Sequence, residues 1–428
     1  MFYFLGVPMS NHSRNKPILL GCSLVLIAII HMKAYAEEEA AHHDLLNINA
    51  ALTLHDVMEK AFARNPMQAS LQSKKFGVEA KNIMAKSLLP HAPAVSLQHQ
   101  NDALSSNRGE RDWQAEVELP VWLPSQRSSR LSVAEASNDD LQKNRENTRL
   151  ESAGKVRDAL WDVAMNTQLS EVANKKLEAT KQLEDDVNKR YQAGELAKVD
   201  WMLAEQETLA AERFAVRTEA ELMHARHRYI VLTGLSEMPA QYEERRSDIE
   251  DYNQSPLWLA AESRVSVTER ERELVRVERR ENPQVLINAR TQRGPFDNAY
   301  NDSFGLKVRI PLDSQVRSAP LQARAEEAVG SAMTERESIR FYLETALHEA
   351  EHNLSVSQEE LRIATKQHEI AQDSLRLARK AFQLGETDLV NLVRVQTQTF
   401  ETERAYQIRQ IQLKWDIARY NQAVGVLP

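Results

Sequence analysis

Four short stretches of the chain alternate apolar and polar residues with the two-residue period of a strand that has one apolar and one wet face. Val95 and Leu97 alternate with Ser96, Gln98 and Gln100, and Trp113, Ala115, Val117 and Leu119 oppose Gln114, Glu116 and Glu118. Val285, Ile287 and Ala289 alternate with Gln284, Leu286 and Asn288, and Phe304, Leu306, Val308 and Ile310 oppose Gly305, Lys307 and Arg309. Most of the remaining chain reads as helix. Residues 54–89 and 257–281 predict helices that stop ahead of a proline, because proline disfavours helical backbone in the residue before it. Residues 128–191 and 321–382 predict two long helices, interrupted only by Gly154 and Gly330 and free of internal proline. Each is about 95 Å long at the helical rise of 1.5 Å per residue. Apolar residues at Leu343, Leu347, Ala350 and Leu354 step by four, three and four, as in a coiled-coil rod or tube. Each long helix ends at Gln-Ala-Gly-Glu or Gln-Leu-Gly-Glu, where Gly194 and Gly385 suit a left-handed C-cap. A second helix then returns to Thr233 and to Val424.

This order of elements occurs twice. An ungapped alignment of residues 189–234 with 380–425, at an offset of 191, gives twelve identities, among them Gln192/Gln383, Gly194/Gly385, Glu195/Glu386, Tyr229/Tyr420 and Gly234/Gly425. Upstream, Pro66 matches Pro256 and Pro93 matches Pro283 at an offset of 190. The chain therefore divides into a first repeat over 37–235, a polar linker over 236–255 and a second repeat over 256–428.

Composition agrees with a helical rod. Among 428 residues there are only 12 glycines and 14 prolines, and the net charge of -8 offers no basic surface for nucleic acid. Residues 1–36 have the layout of a secretory signal: Arg14 and Lys16, an apolar run over 18–30, and Ala34-Tyr35-Ala36 at the cleavage position. Two other readings of this segment are a retained anchor and a lipidated Cys22 in Leu-Leu-Gly-Cys; the apolar run after Cys22 disfavours the second. Cys22 is the only cysteine, so the mature chain has no thiol for disulfides, metal binding or catalysis. After residue 36 no apolar run approaches the roughly 20 residues of a spanning helix. A membrane crossing by this chain thus falls to the strands.

Each strand is close to the 9–11 residues of a tilted transmembrane strand, and the loops at 101–111 and 293–302 are polar and longer than hairpin turns. The alternative, a water-soluble sheet covered by helices, suits such long polar helices poorly. An open sheet leaves backbone groups unpaired in lipid. Four strands are fewer than the eight of the smallest barrels, so the barrel reading requires copies of the chain to assemble, with eight strands for two chains or twelve for three.

The tandem repeat, two strands per repeat, the hairpin tips at 190–200 and 381–391 and the paired Tyr-x4-Gly endings together resemble the TolC family of outer-membrane efflux proteins, over essentially the whole mature chain. The resemblance implies an α+β membrane protein in which long α-helical coiled-coil hairpins and four transmembrane strands per subunit form a trimer. That trimer has a 12-stranded outer-membrane barrel and a periplasmic helical tunnel, and it conducts passively what an inner-membrane pump exports through a membrane-fusion adaptor. It makes Gly194, Glu195, Leu196, Gly385, Glu386 and Thr387 the adaptor-docking tips. It places Trp113, Val117, Phe304, Val308 and Ile310 against lipid, and Glu116, Lys307 and Arg309 in the lumen, so that Val308→Arg impairs assembly and Lys307→Gln is tolerated. It implies no cofactor. The tip Tyr-Gln-Ala-Gly-Glu-Leu-Ala-Lys-Val-Asp is similar to the heavy-metal branch of the family.

One departure concerns the periplasmic aperture. Family members often carry carboxylates six and nine residues after the second tip glycine; here those positions hold Asn391 and Arg394, with Asp388 nearby and Asp200 and Leu203 in the first repeat. Either Arg394 lines the pore as a self-repelling ring, or it turns aside to pair with Asp388 or with Asp200 of a neighbouring hairpin. Two rival readings complete the set. His348-Glu349-Ala350-Glu351-His352 matches the H-E-x-x-H pattern of zinc hydrolases, but it lies midway along a rod helix, where a third ligand and a cleft are hard to build. His42-His43, His224 and His227 read as solvated or packing residues. The other rival is a soluble periplasmic coiled-coil protein with a small β-domain.

Overall fold

A computed structural model describes residues 46–428; the signal segment at 1–36, Cys22 and His42-His43 lie outside the described residues. The chain runs β1 (Asn47–Asn49), α1 (Leu54–Arg64), α2 (Met67–Lys86), β2 (Ala94–Asn101), β3 (Arg111–Pro120), α3 (Gln126–Gln192), α4 (Lys198–Thr233) and β4 (Glu237–Pro239). It continues through α5 (Pro256–Val277), β5 (Gln284–Arg293), β6 (Asn301–Arg309), α6 (Gln315–Gln383) and α7 (Leu389–Ala423). With 67 and 69 residues, α3 and α6 are each about 100 Å long. Their return helices α4 and α7 cover roughly half that length.

The four expected strands form one antiparallel sheet in the order β2-β3-β5-β6. Its central pairing, Arg111↔Arg293 to Pro120↔Gln284, joins the two repeats into a single surface. The sheet crowns one end of the helices. At that junction the buried Arg130 on α3 meets Glu278 at 2.7 Å and donates to the Pro90 carbonyl at 3.1 Å, tying α3 to the segments that enter β2 and β5.

Three expectations about local structure are corrected. The helix expected over 54–89 is broken at Asn65, whose extended backbone (ψ 127°) follows from Pro66 behind it; Asn65 Oδ1 accepts the Met67 N–H and the chain restarts as α2. The helix expected from 321 begins at Gln315 and contains Pro320. Only its first turn precedes that proline. That turn is held by the Ser314 carbonyl, which accepts the N–H groups of Arg317 and Ser318, and by an Arg317–Glu281 ion pair. Finally, the stretch 236–255 contains β4, which pairs in parallel with β1.

That stretch also straps the mid-section of the rod. Arg157, only 2% exposed, donates from Nε and Nη2 to both Glu244 carboxylate oxygens at 2.7 Å, from Nη1 to Gln422 Oε1 at 2.6 Å and from Nη2 to the Val426 carbonyl at 3.0 Å. The equivalent tyrosines of the two repeats are fully buried and do the same job. Tyr229 donates its hydroxyl to the Glu237 carbonyl and Tyr420 to that of Ile249, each at 2.8 Å. Burial pushes the Tyr229 phenol well above its ordinary pKa, which keeps it a donor.

Candidate functional site

The sheet register sorts its side chains by face. One face carries the rows Leu97, Ala115, Ala289 and Phe304, then Val95, Val117, Ile287 and Leu306, then Leu119, Val285 and Val308. Trp113, Val117, Phe304 and Val308 all lie on this face, exposed in the single chain; Ile310 follows the end of β6 and is also exposed. The opposite face carries Asp112, Gln114, Glu116 and Glu118 against Arg290, Asn288 and Gln284, with Lys307 and Arg309 on β6. Its one internal ion pair is tight: Arg290 reaches both Asp112 oxygens at 2.7 to 3.0 Å. Leu286 is the exception on the polar face, buried against neighbouring side chains.

Both outer strands are open. Every residue of β2 is exposed, and all but one of β6, so each edge presents main-chain donors and acceptors without a partner strand. β2 and β6 run in opposite directions, so β6 of one copy can meet β2 of the next and extend the antiparallel order. Four strands per copy then add up without a mismatch. The loop after β2 is ordered around Asp102, whose buried carboxylate accepts from the Ser106 hydroxyl at 2.8 Å and from the N–H groups of Arg108 and Gly109. The Ser106 hydroxyl foremost, then the backbone N–H groups, hold that carboxyl below its usual pKa.

At the other end of the rod the two hairpin tips are superimposable in hydrogen bonding. Gly194 (φ +80°) and Gly385 (φ +75°) sit in the left-handed region, and Glu195 and Glu386 donate their N–H groups to the carbonyls of Arg190 and Ala381, each at 2.9 Å. One apolar cluster joins both tips: Val187 and Ala204 from the first, Leu375, Phe382, Leu389 and Leu392 from the second, with Leu196 packed on it. Glu195 and Glu386 are exposed, and Thr387 is half-buried.

The aperture residues are placed in detail. Asp388 caps α7 by accepting the Asn391 N–H at 2.8 Å, and Asp200 accepts the Ala197 N–H at 3.2 Å. Arg394 is exposed and donates to Asn391 Oδ1 at 2.8 Å; Asn391 in turn donates to Thr387 at 2.9 Å. Within one chain neither carboxylate reaches Arg394. The H-E-x-x-H histidines, His348 and His352, are exposed along the middle of α6, and no group of three or more candidate metal ligands occurs among the described residues. His224 faces Glu221 at 3.8 Å, and His227 is exposed. No helix among the described residues is long and apolar enough to cross a membrane.

No family model matches the sequence, and no curated protein matches it. Its fold has clear counterparts among solved structures. The outer membrane protein VceC of Vibrio cholerae matches with a TM-score of 0.70 at 14% identity, over 87% of this chain and 96% of that one. CusC, whose structures concern folding and transmembrane channel formation, gives 0.69 at 12% identity over 87% and 92%. The open state of the MtrE outer membrane channel of Neisseria gonorrhoeae gives 0.67 at 15% identity over 87% and 89%. The fold is thus the one these outer-membrane channel structures share. These structural neighbours are TolC-family channels, the family whose architecture the sequence resembles.

Proposed function

We propose that three copies of this chain close their sheets into a 12-stranded barrel in the outer membrane, continued by a helical tunnel through the periplasm. The observation that carries this reading is the open four-stranded sheet, with one continuous apolar face and two unpaired edges. In water those features invite aggregation; in lipid they require closure. The apolar face then meets lipid, and Glu116, Lys307 and Arg309 face the lumen. Solute passes through passively, with energy and selection supplied by an inner-membrane pump. A membrane-fusion adaptor docks on Gly194, Glu195, Leu196, Gly385, Glu386 and Thr387, where two rigid glycine turns present a shared apolar cluster. The first tip favours divalent cations as cargo, which the type of pump gene beside this one would check.

Fractionation and native mass spectrometry together test the proposal. The protein should stay with outer membrane after high-salt and carbonate washing, and in detergent it should have the mass of three chains. Release by the washes supports the soluble coiled-coil alternative, and a stable monomer as the dominant species refutes the barrel.

A further inference from the structure

Above its apolar band the sheet carries two arginines that form no ion pair among the described residues. The register continues upward from Ala115 and Ala289 to Trp113 and Thr291, and then to Arg111 and Arg293. His99 stacks on Trp113 at 3.9 Å and completes the upper edge of the band. Arg111 is exposed and forms no ion pair among the described residues. Arg293 is held in place: Nε and Nη2 donate to the Gly109 carbonyl at 3.3 and 3.1 Å, and its guanidinium lies 5.4 Å from the centre of the Tyr300 ring. Gly109 itself sits in the left-handed region, at φ +89°. On the opposite face, Asp112, the residue after Arg111, is matched by Arg290. Glu110 and Asp302 lie near the two rim arginines and form ion pairs with neither, while Arg108 adds a third cation to the loop.

Height along the strand gives this arrangement a meaning. From Arg111 to Pro120 the strand spans about 30 Å, or roughly 23 Å of membrane depth at a tilt near 40°. That matches the apolar band of a barrel, about 25 Å tall. Arg111 and Arg293 then lie at its outer limit, flanked by Trp113 and Tyr300 as interfacial aromatics. A guanidinium at that level meets lipid headgroups, and its planar fork fits two oxygens of one phosphate. We propose that Arg111 and Arg293 form a binding site for the phosphate of a phosphorylated outer-leaflet glycolipid, with Trp113 and His99 packed on its acyl chains. This rests on the barrel reading with the strand loops outward.

Native mass spectrometry of the detergent-solubilised full chain tests the site, using diphosphoryl lipid A and the same lipid stripped of both phosphates. The wild-type trimer should hold the phosphorylated form about tenfold more tightly, the value of one charge-assisted contact. The double variant Arg111→Gln/Arg293→Gln should lose that preference, and Arg290→Gln should keep it. If an intact wild-type trimer holds both lipids equally, or the double variant keeps the preference, the inference is overturned while the barrel stands. A wild-type spectrum without trimer overturns the barrel reading, and the site with it. If the double variant fails to assemble, Arg111→Gln alone, at an exposed position with no ion pair among the described residues, is read by the same criterion.

Discussion

Replacing Phe304 by arginine puts a cation in the middle of the apolar face. Five rows run from Arg111 and Arg293 at the loop end to Leu119, Val285 and Val308 at the helix end, and Phe304 shares the third with Ala115 and Ala289. It is 88% exposed in the single chain, so the substitution breaks almost no packing within the chain and reports on its surroundings. An arginine at the bilayer midplane costs about 2–4 kcal/mol, and closure repeats that three times, roughly 6–12 kcal/mol per trimer. Such a sum rivals the entire stability of an ordinary domain, about 5–15 kcal/mol. Val308 is different. The resemblance implies that Val308→Arg impairs assembly, but the register puts Val308 in the last row before the helices, where an arginine costs only about 0–1 kcal/mol. Val308→Arg thus becomes a mild control, and Lys307→Gln, on the polar face, should be neutral. The assay is the fraction of SDS-resistant trimer in membrane extracts, with the urea midpoint of trimer refolded into vesicles. The expected order of damage is Phe304→Arg, then Val308→Arg, then Lys307→Gln. Damage from Lys307→Gln equal to or above that from Phe304→Arg would place the apolar face inside and refute the orientation.

Arg157→Ala should destabilise the mid-section by about 3–5 kcal/mol, because it strands the half-buried Glu244 carboxylate without its counter-ion; a urea midpoint indistinguishable from wild type would contradict the strap. Arg394→Asp should raise cation preference and create sensitivity to periplasmic divalent cations in planar bilayers if Arg394 lines the pore, and unchanged selectivity places it off the axis. Asp102 has a lowered folded pKa, so its contribution to loop order is complete above the unfolded value near 3.9 and is lost as pH falls through the lower folded value. Ser106→Ala removes the foremost cause and should move that loss to higher pH, read by hydrogen exchange of residues 102–110.

How much of this was legible in the sequence depends on how local each signal is. Strands with strict two-residue alternation and helices of more than sixty residues announce themselves, and so do the tip glycines, whose left-handed backbone follows from a single residue. The β1–β4 pair does not. Each strand is three residues long, and their partnership spans about 190 residues, so no periodicity survives to mark it. Pro320 misled in another way: one well-held turn ahead of it is enough to start α6 early, and part of that hold comes from Glu281 on a different segment. The Tyr229 and Tyr420 pairing appeared only as a repeat identity, and their shared task needed the position of the 236–255 carbonyls. At the aperture, Asp388 and Asp200 also cap main-chain N–H groups of their own hairpins, a local role the sequence did not mark.

The two open edges have a genetic consequence. Each chain supplies one β2 edge and one β6 edge, and a closed ring uses every edge once. A chain with a damaged edge still has one sound edge, so it can enter a ring and spoil the seam made by two sound partners. With equal expression and random mixing, only about one trimer in eight would contain three sound chains. An edge-strand mutant should therefore act dominantly over the wild-type copy in the same cell, whereas a mutant that cannot fold at all should be recessive.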